Sequence, residues 1–79
     1  MKIFGYTDKG RSAEDAQPLA LAEVTLAATP AELRALAGFI EAAAKRIEAQ
    51  GQNYDHEHLC DGFKEFSNSP SFIIANPNV

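Results

Sequence analysis

A single cysteine, a single methionine and no tryptophan leave this chain of 79 residues to build its core from aliphatic side chains, five phenylalanines and two tyrosines. With Cys60 alone, no intramolecular disulfide can form, and a reducing cytoplasm is the expected home. No apolar run approaches the roughly 20 residues that a membrane-spanning helix needs. The opening Met1-Lys2-Ile3-Phe4-Gly5 lacks the apolar stretch and cleavage site of a secretory signal and reads as a first strand. Basic residues are also scarce. Seven Lys and Arg face 11 Asp and Glu, a formal charge of −4. That balance argues against a sequence-independent grip on nucleic acid, which depends on a basic surface. It suits either simple solubility or a basic protein partner.

Recognisable catalytic signatures are missing as well. There is no glycine-rich phosphate loop, C-x-x-C pair, H-E-x-x-H or G-x-S-x-G, so a nucleotide enzyme or a zinc finger is not expected. The chain has no internal repeat and no low-complexity tract, and it reads as one domain over residues 1–79.

What the chain does contain is one helix marked at both ends. Thr29-Pro30-Ala31-Glu32 supplies a capping hydroxyl, a proline at the first helical position and an acid three residues after the cap. Gly51 supplies a residue that can turn left-handed and stop the helix. At about 100° per residue, Leu33, Leu36, Ala37, Ile40, Ala43, Ala44 and Ile47 fall in one apolar arc, while Arg34, Glu41, Lys45 and Glu48 lie opposite. This seam is expected to press on a sheet, so Leu36→Asp or Ile40→Asp should unfold the domain. On the other side, Ala31, Ala35, Gly38, Ala42 and Ala49 form a smooth ridge that another element could approach closely. Gly38 is discordant in a helix interior, where glycine costs about 1 kcal/mol relative to alanine.

The flanks read as strands. Residues 2–7 and 19–27 form an expected antiparallel pair around a polar loop at residues 8–17. Residues 54–60 make a third strand, Asp61-Gly62 a turn, residues 63–66 a return strand or ordered loop, and residues 71–75 the clearest strand of all. The expected fold is α+β and two-layered: an antiparallel sheet of about four strands with one helix packed on one face, in β-β-α-β-β order.

Asp55-His56-Glu57-His58, with Cys60 and Asp61 beyond, is the segment richest in chemistry. On a strand, His56, His58 and Cys60 would share a face, as zinc or copper ligands do. H-x-H alone lacks a defined third or fourth ligand, and polar side chains of this kind also serve simply as the wet face of a sheet. Imidazole beside carboxylate could handle protons, but no enclosed apolar pocket is implied by a two-layer domain of this size. Acidic neighbours disfavour a Cys60 thiolate. No catalytic residue, metal or cofactor is therefore expected.

The order of short motifs resembles a known family. Leu-x-Glu-Val at residues 21–24 is followed by Pro-x-Glu-Leu at 30–33 and Leu-Ala-x-Phe-Ile at 36–40. Then come His-x-His-Leu at 56–59 with Asp61 beyond, and Ile-Ile-x-Asn-Pro at 73–77. Together they are similar to the immunity protein 32 family of bacterial polymorphic toxin systems, over roughly residues 17–77. The resemblance implies a non-enzymatic protein that binds and neutralises a cognate toxin; within it, polarity and strand geometry single out His56, Glu57, His58 and Asp61 as the candidate partner contacts. Two other functions stay open: a small metal-binding domain centred on the His-Glu-His segment, and a homodimeric structural domain joined through a sheet edge or the alanine ridge. The expected partner is thus a protein, with neither nucleic acid nor membrane.

Overall fold

In the computed structural model, residues 1–8 and 17–79 are described. Their order is β1 (Phe4–Gly5), β2 (Leu19–Ala20), α1 (Pro30–Gln50), β3 (His56–His58), the single helical turn α2 (Leu59–Gly62) and β4 (Ile73–Ala75). The α+β class and the β-β-α-β-β order of the principal elements follow the expectation. Among the described residues the strands do not join in a single four-stranded sheet. There β1 pairs with β2 and β3 with β4, both antiparallel, giving two two-stranded sheets. The loop expected at residues 8–17 lies, over residues 9–16, outside the described residues.

The helix is bounded as its end signals require. Thr29 accepts a hydrogen bond from the Glu32 backbone N–H through Oγ1, and the Glu32 carboxylate in turn accepts one from the Thr29 N–H at 2.8 Å. This reciprocal arrangement satisfies two otherwise orphaned donors. The Thr29 contacts also hold the Glu32 carboxyl below its ordinary range. At the other end Gly51 adopts φ 55°, and its N–H returns to Ile47 O. A short 3-10 turn, Gly51–Asn53, then hands the chain to β3.

The buried face of α1 is rotated from the expected seam. Leu36, Phe39 and Ala43 are buried, Phe39 to 5% exposure and Ala43 completely, whereas Leu33 and Ile40 stay 44% and 43% exposed. Ala37 and Ala44 are exposed too, and Ala35 and Ala42, assigned to the outer ridge, turn partly inward. The reason is steric. The bulky Phe39 claims the centre of the contact, edge-on to Phe72 with ring centroids 6.4 Å apart. Around it, Leu36, Leu59 and Phe66 complete the core, and Phe63, Phe72 and Ile74 pack against them. Each such side chain contributes about 1.5–3 kcal/mol when fully buried.

Residues 54–60 were expected to continue as one strand, but the strand ends at His58 because Leu59 must enter the core, and α2 swings it there. Asp61-Gly62 therefore closes a helical turn rather than a hairpin. Of the two expectations for residues 63–66, the return strand does not form and the ordered connection does: Lys64–Phe66 is a 3-10 turn that seats Phe66 beside Phe63.

β4 is pinned by Asn76, which is 6% exposed. Its amide donates to Gly51 O at 2.9 Å and to Tyr54 O at 3.1 Å, and its Oδ1 accepts from the Asn78 N–H at 3.0 Å. One side chain thus ties the helix terminus, the approach to β3 and the C-terminal tail together.

Candidate functional site

A cleft of about 590 Å³ opens between the middle of α1, β3 and α2. His56, Glu57, His58 and Asp61, the four residues singled out from sequence, all line it, and α1 contributes Gly38, Phe39, Ala42 and Arg46. The outer-ridge residues Gly38 and Ala42 and the polar segment, treated above as separate features, are therefore walls of one depression. Phe63 and Gly62 close the end beside α2.

Why β3 presents so many groups follows from its ladder. His56 faces Ala75, Glu57 faces Ile74 and His58 faces Ile73. The flanking bonds Asn76 N–H to Asp55 O and Leu59 N–H to Phe72 O, both 2.9 Å, set the phase of the pairing. In an antiparallel ladder, residues alternate between those that bond across and those that do not. Residues 55, 57 and 59 bond toward β4, so the backbone N–H and C=O of His56 and His58 turn to the opposite edge of β3. No described strand pairs on that edge.

The charges are partly spent. Arg46 grips Glu57 with two parallel hydrogen bonds, Nε to Oε1 and Nη2 to Oε2, the latter 2.7 Å. This bidentate geometry holds the Glu57 carboxyl below its ordinary range and the guanidinium above its own. Beneath the pair, Tyr54 is 4% exposed. Burial, reinforced by the Glu57 carboxylate, pushes its hydroxyl up, and that hydroxyl completes no hydrogen bond of ordinary geometry. His56 Nδ1 donates to Asp55 Oδ2 at 2.5 Å, and its ring meets that of His58 with centroids 5.1 Å apart at 62°. Asp61 is exposed and makes no hydrogen bond or ion pair with any described residue. Two carboxylates against one guanidinium leave the cleft net negative.

The His56, His58 and Cys60 face imagined for a metal is not assembled, because α2 carries Cys60 away from the strand to an exposed position outside the cleft. Among the described residues, no group of three or more His, Cys, Asp or Glu is placed to hold a metal ion. No described helix is long and apolar enough to cross a membrane. A second hollow of about 390 Å³ lies between residues 24–28 and the Phe66 and Phe72 side of the core. It is mostly apolar, and the Glu32 carboxylate on its rim is engaged in the helix cap.

Arg46, Phe63 and Tyr54 were not foreseen. Arg46 had a signal, since it lies seven residues after Phe39 and so on the same side of the helix, an odd place for a cation without an acid opposite.

The fold and the site together define a small α+β domain with an open polar cleft between its main helix and β3. The model of the immunity protein 32 family matches residues 23–77, most of the chain, and the protein is a member of that family. No curated protein and no solved structure matches the chain.

Proposed function

We propose that this protein is a non-enzymatic immunity protein that binds a cognate bacterial toxin and neutralises it. The observation that carries this reading is the family match over residues 23–77. The cleft supports it by supplying a place: His56, Glu57, His58 and Asp61 converge there with the helix ridge. The net charge of −4 favours a toxin with a basic surface, since complementary fields speed encounter and fix orientation.

The test is co-expression with a candidate toxin domain, sought first among the genes adjoining this one. The toxin domain alone should arrest growth, and this protein should restore it and co-purify with the domain in a fixed ratio. Arrest that persists despite soluble, folded protein would end the proposal.

A further inference from the structure

We infer that the cleft receives an extended segment of the toxin, which adds to the free edge of β3 as a third strand and sets a cationic side chain, arginine or lysine, against Asp61. The inference rests on the immunity reading and names the chemistry of its partner. Three independent observations converge on it.

The first is the strand edge. The N–H and C=O groups of His56 and His58 turn to the edge of β3 away from β4, where no described strand pairs, and both residues line the cleft. An unpaired edge is a template for an incoming strand, which gains main-chain hydrogen bonds without demanding a particular sequence. The β3 edge is short, matching a segment of a few residues.

The second is the pair of glycines on the cleft walls. Neither Gly38 nor Gly62 has a positive φ, and a Cβ added at either would meet nothing within 4 Å. Gly51, by contrast, needs its φ of 55°. Among the described residues nothing therefore calls for glycine at position 38, where it weakens a helix interior by about 1 kcal/mol. A backbone passing close to the helix does call for it. Both glycines line the cleft, and neither places a side chain in it.

The third is charge. Arg46 is already held by both oxygens of Glu57, so the guanidinium is not free to recruit an anion. Asp61 is the uncompensated charge of the cleft, and Phe63 beside it offers a ring to a cation. Alternation along an added strand sends every second side chain to the same face, so one cation suffices to meet Asp61 while its neighbours point elsewhere.

The experiment uses the full chain with the toxin domain from the co-expression test, and reads amide hydrogen exchange together with affinity. On binding, the His56 and His58 amides should slow by at least tenfold, while the Arg34 and Lys45 amides on the outer helix face stay unchanged. Asp61→Asn should weaken binding about tenfold and flatten its salt dependence. Gly38→Leu should weaken it a hundredfold or more while raising the melting temperature, which shows that the domain still folds. Tight binding with unprotected His56 and His58 amides overturns the strand addition but leaves the immunity function standing. Unchanged affinity in Asp61→Asn overturns the cationic contact. Self-association through the β3 edge, seen as a dimer mass with the same amides protected in the absence of toxin, assigns the edge to a second copy and overturns the proposal. If the toxin domain does not bind at all, both readings fall.

Discussion

Arg46 and Glu57, eleven residues apart in the chain, form a two-point clasp that joins the last third of the helix to the middle of β3. Because Glu57 also lines the cleft, the clasp is both a strut of the fold and a wall of the candidate site.

That dual position makes its energetics measurable. Both side chains are partly solvated, so screening limits the pair, and Glu57→Gln should cost about 0.5–1 kcal/mol. A double-mutant cycle with Arg46→Gln, followed by urea denaturation, checks the coupling. The pH dependence has a defined sign. The Glu57 carboxyl is depressed in the folded state, so its contribution is complete above the unfolded value of about 4.3 and disappears as pH falls below it. The raised Arg46 value acts only in strong alkali. Wild type should therefore lose stability on acidification more steeply than Glu57→Gln, while the gap between them stays flat from about pH 5 to pH 9.

Asn76 should be the most sensitive polar position. Asn76→Ala removes the donor to two carbonyls, the one on Tyr54 in a buried bond, and the acceptor of the Asn78 N–H. A loss of about 2–3 kcal/mol is expected. Asn76→Asp should be as damaging, because a carboxylate would then face the Gly51 and Tyr54 carbonyl oxygens. Thermal unfolding of the two variants checks both, and a shift of a degree or less in either would refute the assignment.

The rotated helix face separates two substitutions that the sequence pattern treats alike. Leu36→Ala should cost about 2–4 kcal/mol, because it opens a cavity beside Phe39, Leu59 and Phe66. Ile40→Asp should cost less than 1 kcal/mol, since Ile40 is 43% exposed. Circular dichroism melts would distinguish these outcomes at once. An unfolded Ile40→Asp would restore the original seam.

The glycines of α1 and its terminus should respond in opposite directions. Gly38→Ala should raise stability by up to about 1 kcal/mol, with open space around the new methyl group. Gly51→Ala should lower it by about 1 kcal/mol, because φ 55° strains any residue with a Cβ. Chemical denaturation of the pair provides an internal control.

The helix was legible in the sequence because its signals are local: Thr29, Pro30, Glu32 and Gly51 act within one turn of where they sit. The four polar residues that line the cleft are a compact run in the chain, so their proximity to one another was legible for the same reason. Which face of α1 is buried was not legible. Aliphatic periodicity favoured Leu33 and Ile40, but Phe39 and its partner Phe72 decide the packing, and that partnership spans half the chain. The sheet arrangement failed similarly. Strand propensity over residues 54–60 and 19–27 exceeds what pairs, because Leu59 is drawn into the core and the hydrophobic side chains of residues 19–26 stay exposed. The Arg46–Glu57 clasp and the Asn76 ties join residues distant in sequence, where spacing rules have no purchase.

Cys60, the only thiol in the chain, stands exposed immediately before Asp61 yet outside the cleft. The native molecule thus comes with a ready attachment point for a maleimide dye beside the cleft. Fluorescence from that label would report in real time whether a partner settles there, with no engineered residue at all.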